Sequence, residues 1–583
     1  MPTRPTVRPA AVAVFAAFAL AAAAAALLQA PAGAAPPGTA GNSLPAGAPD
    51  TAAAAQQRID EPTLEAVVAY LADDLLEGRG PATRGDRLTR LYLATTMQLL
   101  GLEPGGPDGA WEQPFEVVGI TSAMPPEWRF AAGGGDGDAL SLARSDDYIA
   151  ASGVQAERAA IDDAEVVFVG YGIEAPEYDW DDYKGADLEG KVLLMLNNDP
   201  DWEPELFAGE RRLYYGRWTY KYESAARQGA AGAIVIHTDA SAGYPWQVVQ
   251  TSWTGEQFEL PAGDEPRLGI EAWVSGDAAR RLTAHAGQDL AALTEAAKSR
   301  DFRPVPLGIT TSLELSNELS RVETANVAGL LPGSDPELSD EVVIYTAHHD
   351  HLGIAPEGEG AGGDRIYNGA LDNASGVAQL LAIARAMTAL PEPPRRSILF
   401  LFVAAEEQGL LGSEYYAAHP TYPPGRIAAN LNYDGGNIWG ETADLTLVGD
   451  GKSSLDAVAE AVAASQGRAV VGDQHPDKGY YYRSDQFSFA KIGVPALYPD
   501  TGSEFVGRPE GWGRERVEEW TATHYHQPSD ELVADWDFAG MVDDARFGFL
   551  AGLIVANADA MPGWNPGDEF EAARKEALAA VTE

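Results

Sequence analysis

From Asn326 onward the chain repeats one grammar: a short apolar run, a loop, then an amphipathic helix. Val342 to Ala347 and Ile398 to Ala404 are such runs. Between them Gly376 to Met387 carries Val377, Leu380, Leu381, Ala384 and Met387 on one helical face. Strands that are apolar on both faces belong to a mostly parallel sheet, because the helical crossovers that parallel pairing requires cover both surfaces. The pattern predicts an α/β fold for this half of the chain, closed by a last helix over Phe538 to Ala556.

In open sheets of this kind ligands sit beyond the carboxyl ends of the strands, and that is where this sequence places its metal-binding side chains. The first strand ends in Ala347-His348-His349-Asp350-His351. Asn368 to Gly376 puts Asp372 in a Gly-rich loop directly before a helix. The second apolar run ends in Ala405-Glu406-Glu407, Asn430-Leu431-Asn432-Tyr433-Asp434 ends in another acid, and Tyr525-His526-Gln527-Pro528-Ser529-Asp530 adds a fifth candidate. The chain has no cysteine, which excludes disulfides, thiolate metal sites and a cysteine nucleophile. Two imidazoles and three carboxylates without sulfur suit a pair of divalent ions, zinc first, with one carboxylate bridging them. Neighbouring glutamates on an extended strand face opposite ways, so one of Glu406 and Glu407 is expected as a ligand and the other as the base.

Taken together the motifs AHHD, GALDNASG, AAEEQGLLGS, NLNYD and YHQPSD resemble the zinc-dependent exopeptidase family of bacterial aminopeptidases and glutamate carboxypeptidase, metallopeptidase family twenty-eight. The resemblance runs in order from about Asn326 to Ala556. It implies that His348 and Asp434 hold one zinc, Glu407 and His526 the other, and that Asp372 bridges them. It implies Glu406 as general base, acting through a metal-bridged hydroxide, with Asp350 orienting His348 through its second ring nitrogen. Manganese or cobalt would be possible substitutes for zinc. His349 and His351 match variable positions and are read as packing or rim residues. The Asp372-Asn373 peptide is expected to be cis. Tyr525 and Tyr482 both lie near places where relatives keep an oxyanion-stabilising tyrosine, and the sequence does not choose between them. Gly435-Gly436 and Gln527 depart from the common pattern, which bears on cleft shape rather than on ligands.

Upstream, two segments with helical spacing, Leu64 to Leu76 and Leu88 to Leu100, are broken by Gly78-Arg79-Gly80-Pro81. Val167 to Gly172, Asp182-Tyr183, Gly190-Lys191-Val192 and Ala225 to Ala230 resemble an inserted protease-associated domain, β-rich with a few helices. The expected divisions are residues 1–34 as a signal peptide, 35–58 as a flexible linker and 59–155 as an N-terminal helical part of the catalytic unit. Residues 156–305 follow as the inserted domain, 306–562 as the di-zinc catalytic domain and 563–583 as a peripheral tail. Arg4 and Arg8 precede an alanine-rich run that ends in Ala32-Gly33-Ala34, the small-x-small pattern of a cleavage site. This places the mature chain in the periplasm or outside the cell, and no later segment is apolar enough to span a membrane; a retained N-terminal anchor is the competing reading.

The 583 residues hold 87 acidic and 40 basic side chains, a formal charge of −47. Such a field opposes nucleic acid and anionic membranes as partners and disfavours acidic substrates. The resemblance, with the export pattern, implies a secreted aminopeptidase acting on peptides with a free N-terminus. Two alternatives stand beside it: a carboxypeptidase or amidohydrolase of the same fold, for which Arg483 is the one obvious carboxylate reader beside a motif, and a receptor-like binding protein without catalysis. The sequence leaves oligomeric state and side-chain preference open.

Overall fold

Parallel pairing organises the C-terminal half, as its apolar runs require. In the computed structural model, which describes residues 44–132, 139–204, 206–356 and 363–581, strand Val342–His348 lies between Ser397–Val403 and Ile427–Asn432, parallel to both. Ile427–Asn432 pairs in parallel with Ala496–Asp500. Antiparallel pairs flank these strands, the end of Val305–Leu331 against Ser397–Val403 and Asp444–Val448 against Ala496–Asp500, with Ala469–Gly472 added in parallel beyond Asp444–Val448. The first three strands are buried along their whole length. One face is covered by helices Ser375–Met387 and Ala539–Asn557 and by the N-terminal helix Glu61–Leu71. Helices Leu411–Ala418 and Gln486–Lys491 cover the other, where Tyr416 and Phe489 meet Ile344, Leu399 and Leu401.

The β-rich segment follows its sequence pattern. Strands Val192–Leu196, Gly232–His237 and Ile270–Ser275 run parallel, and helix Trp218–Arg227 ends before Gly229, whose φ of +71° suits glycine. The division expected at residue 305 falls at the start of a strand that runs through both regions. Val305–Leu331 is one 27-residue strand, roughly 90 Å long at the usual rise. It pairs first with Arg158–Phe168, then with Glu112–Ala123, and last with Ser397–Val403 of the parallel sheet. One backbone ladder thus joins the two regions.

Three other expectations change. Residues 59–155 are helical only as far as Leu100; strands occupy Glu112–Ala123, Glu127–Ala132 and Tyr148–Ser152. The described part of the expected linker is ordered: Ala52 and Ala55 lie in a short helix and pack with Ile59 into the core, because alanine is small enough to sit against neighbouring helices. The C-terminal tail is docked. Trp564 and Phe570 are buried, Trp564 Nε1 donates to Gly493 O at 3.0 Å, and the buried Arg574 donates to Ile427 O at 2.9 Å. The expected signal peptide, residues 1–34, lies outside the described residues. No helix among the described residues is long and apolar enough to cross a membrane.

Candidate metal centre

Four loops at the carboxyl edge of the sheet converge. His348 ends its strand, Glu406 and Glu407 follow Ser397–Val403, Asp434 follows Ile427–Asn432, and Asp372 lies in the turn before helix Ser375–Met387. His526 reaches them from the loop after helix Trp512–Thr523. His348 Nε2 lies 3.1 Å from both Asp434 Oδ1 and Asp372 Oδ1. His526 Nε2 lies 3.0 Å from Glu407 Oε2 and 3.3 Å from Asp372 Oδ2. The two oxygens of Asp372 therefore serve different imidazoles, as a bridging carboxylate would. Glu406 Oε2 stands off at 3.9 Å from His348 Nε2.

Closely packed donors without sulfur, each aimed at the others, fit two divalent cations. Among the described residues His348, Asp372 and Glu407 offer ligand atoms within 4.8 Å of one another. The electrostatics of the bare cluster agree. Burial alone would lower His348, but Asp434, Glu406 and Asp372 hold it well above its ordinary value. Burial opposes ionisation of Glu407 and Asp372 too, yet the facing imidazoles win, holding Asp372 well below the carboxylate range and Glu407 at about 2. Glu406 goes the other way: burial, then the charges of Asp434, Glu407 and Asp485, raise it well above the carboxylate range. The adjacent glutamates thus differ as a ligand and a proton carrier should.

The surrounding shell holds what the sequence reading placed only in part. The Asp372-Asn373 peptide is cis. The carboxylate of Asp350 does not take His348 Nδ1, which lies 3.3 Å from the Asp350 backbone oxygen and 3.9 Å from Oδ1. It instead accepts the amides of Glu406 (3.1 Å) and Glu407 (3.4 Å), because the loop after Ser397–Val403 folds over it. His351, read as a packing or rim residue, is buried, and its Nδ1 lies 2.6 Å from Glu407 Oε1. Its place between the metal-facing loops follows from Gly369, where any Cβ would strike the His351 ring at 2.6 Å. His349 is a packing residue, buried against Asp86 at 3.3 Å.

Three further residues act from a distance. Asp530 accepts the amides of Leu371 (2.8 Å) and Asp372 (3.0 Å), fixing the bridging turn. Arg79, buried in the GRG break, donates to His349 O (2.9 Å) and Gly369 O (3.0 Å), clamping two metal-facing loops together. Ser252, at the end of helix Trp246–Ser252, places Oγ 2.8 Å from His526 Nδ1, and Gln247 of the same helix donates to Gln527 at 2.9 Å. Asp530 and Arg79 carried a sequence signal as parts of motifs; Ser252 carried none.

The two tyrosine candidates separate. Tyr482 gives its hydroxyl to Glu569 at 2.6 Å and packs on Phe487. Tyr525 stacks on His526 with ring centres 3.9 Å apart, and Arg483 donates to its oxygen at 3.4 Å. Two cavities open at the centre, of about 220 and 470 Å³, and Glu406, Arg483 and Tyr525 line both. The smaller has Trp439, Trp520 and Tyr498 on its walls and is lined by Gly435, where a Cβ would meet open space, and Gly436, where it would crowd Met541 at 2.8 Å. The larger lies against the β-rich segment, with Arg217, Trp218 and Tyr244 on its far side.

Residues 326–548 match the model of the family described as Peptidase family M28. Aminopeptidase YwaD of Bacillus subtilis is 30% identical over 197 residues, 33% of this chain and 36% of that protein. A probable leucine aminopeptidase 2 of Aspergillus oryzae is 26% identical over 268 residues, 44% and 50% of the two chains. These matches span between about a third and a half of the relatives' length. Among solved structures, the aminopeptidase from Aneurinibacillus sp. strain AM-1 has the same fold, with a TM-score of 0.50 and 19% identity over 88% of this chain and 96% of that one.

Proposed function

Through residues 326–548 the chain belongs to peptidase family M28, and from that premise we propose that it is an exported di-zinc aminopeptidase that removes N-terminal residues from peptides. The observation that carries the reading is the divided Asp372 carboxylate, one oxygen toward His348 and the other toward His526. In this reading His348, Asp434 and Asp372 hold one zinc, and Glu407, His526 and Asp372 the other. Bound there, the ions would polarise the scissile carbonyl and acidify the attacking water.

The chain's own groups supply the rest. Glu406 stands in both cavities beside the ligands and is raised by burial; it takes the proton of the attacking water and returns it to the leaving amine. The Tyr525 phenol, backed by the Arg483 guanidinium, donates to the developing oxyanion. Asp372, Asp434 and Glu406 border the smaller cavity, where their charge favours a free α-ammonium over a blocked one. The aromatic walls of that cavity take the N-terminal side chain. Residues 156–305, similar in sequence to a protease-associated domain, wall the opposite side of the cleft. Export rests on the N-terminal segment alone.

The test is Glu406→Gln assayed on aminoacyl nitroanilides. Turnover is expected to fall roughly 10²–10⁴-fold with two zinc ions still bound by elemental analysis, and a chelator should abolish wild-type turnover. Retained turnover in the variant would remove Glu406 as base. Cleavage of an N-acetylated peptide with a free C-terminus would replace the aminopeptidase reading with that of a carboxypeptidase.

A further inference from the structure

Several arginines of the interior lie against an acid, Arg90 against Asp86, Arg396 against Glu341 and Arg468 against Asp544, and the buried Arg79 and Arg574 donate to backbone carbonyls. Three beside the larger cavity differ. Arg212, Arg217 and Arg483 have no carboxylate within 4 Å among the described residues, and all three bury nitrogens without a hydrogen-bond partner: Nε and Nη2 of Arg212, Nε of Arg217 and Nη1 of Arg483. They crowd one another. Burial, then the charge of Arg483, lowers Arg217 to about 10; Arg212 is lowered to about 10 by burial and by Arg483 against the opposing charge of Asp199. Of the acids around them, Asp199 accepts the Leu213 amide at 2.8 Å, Asp477 pairs with Lys478, and Glu414 lines the cavity but is exposed to solvent. Glu223 accepts from Tyr214 at 2.6 Å, Glu259 pairs with Arg267, and burial raises Glu271 to about 8, so that it keeps its proton.

Positive charge gathered in a cleft, desolvated and unpaired, is costly unless an anion completes it. Arg217 and Arg483 both line the larger cavity. Arg483 is held between the rings of Tyr244 and Tyr480, at 5.1 and 5.2 Å, which fixes the plane of its fork. Glu406, Glu407 and Tyr525 line the same cavity, so an anion taken here belongs to the molecule being cleaved, on the leaving-group side. A planar guanidinium pair suits a carboxylate.

Building on the aminopeptidase reading, we propose that Arg217 and Arg483 receive the C-terminal carboxylate of the substrate, which makes short peptides with both termini free the preferred substrates. The smaller cavity then takes the N-terminal residue and the larger the remainder. Arg212, buried behind them, adds to the positive field.

The experiment compares kcat/KM for Leu-Ala-Ala with that for its C-terminal amide, in the wild-type zinc enzyme and in Arg217→Met and Arg217→Lys. A charged hydrogen bond contributes about 1.5–3 kcal/mol. The wild type should therefore prefer the free acid by about ten- to a hundredfold, chiefly through KM. The ratio should collapse toward one in Arg217→Met and recover in part in Arg217→Lys. Because it is a ratio within one preparation, partial misfolding lowers both rates and leaves it unmoved. If Arg217→Met does not fold, the wild-type ratio and the lysine variant decide. Equal rates for acid and amide in the wild type would overturn the proposal and leave the aminopeptidase reading intact, as would a preference that survives Arg217→Met. Equal turnover of Leu-Asp-amide and the free acid would assign the arginines to an acidic side chain instead. No cleavage of any substrate with a free amine would instead sink the aminopeptidase reading.

Discussion

Ser252→Ala tests whether the β-rich segment takes part in the metal centre or only stands beside it. With Nε2 of His526 facing Glu407 and Asp372, Nδ1 carries the hydrogen and donates to Ser252 Oγ at 2.8 Å. Alanine removes that acceptor and little else, since Gln247 still binds Gln527 and holds the helix in place. A neutral hydrogen bond is worth about 0.5–1.5 kcal/mol net, and partners that orient a metal-bound histidine typically contribute about 10–100-fold in affinity. The ranges meet near tenfold, at about 1.4 kcal/mol. Zinc titration against a chromogenic chelator should therefore show one site weakened roughly tenfold, while the site of His348 and Asp434 holds. Activity should fall at limiting zinc and return in excess, and Ser252→Thr should keep most of the affinity. Two equivalents bound as tightly as in the wild type, with unchanged kinetics, would refute the coupling and reduce the contact to docking.

Two further outcomes follow from single residues. In Asp530→Asn one amide of the bridging turn loses its acceptor and meets an NH₂ group, because both carboxylate oxygens are in use at 2.8 and 3.0 Å. About 1.5–3 kcal/mol should be lost, read as a lower unfolding midpoint whose gain on adding zinc shrinks; an unchanged midpoint with and without zinc would show that the turn holds itself. Glu271 is raised to about 8 from 4.5, first by burial and then by Glu259. The native state thus keeps a proton that the unfolded chain releases, and stability should fall as pH rises from about 4.5 to 8. Glu271→Gln should flatten that fall and raise the midpoint more at pH 8 than at pH 5, and a parallel shift at both would contradict it.

The sequence made the candidate ligands legible because most of them stand where an apolar run ends or a helix begins. His348, Glu407 and Asp434 terminate buried strands and Asp372 precedes a helix, so local pattern and topology together bring them to one edge. What stayed hidden depends on long-range contact. Ser252 meets His526 across 274 positions and Arg79 meets Gly369 across 290, and no periodicity encodes such pairs. The strand Glu112–Ala123 was obscured by its consecutive buried residues Val117 to Ile120, which interrupt the alternation that marks a half-exposed strand. For His351 the motif offers packing or rim as alternatives, and only the fold shows that it is buried with Glu407 Oε1 turned to it.

The long strand gives these contacts their meaning. A segment tethered by loops would approach the metal centre with variable geometry, and a 2.8 Å contact to a ligand histidine would not persist. Here Val305–Leu331 carries hydrogen bonds to Arg158–Phe168 at one end and to Ser397–Val403 at the other. Ser397–Val403 in turn leads straight into Glu406 and Glu407. Glu112–Ala123 reinforces the middle of the ladder, and Glu256–Glu259 pairs with it just beyond Ser252. Ser252 and Glu407 thus hang from one continuous sheet, so the far wall of the cleft is placed by backbone pairing rather than by surface adhesion. Arg217 precedes the helix Trp218–Arg227 of the same region, and it inherits that placement. Shortening the ladder should therefore disturb the zinc affinity of the His526 site and the choice between free and amidated C-termini together, because the same strands position both.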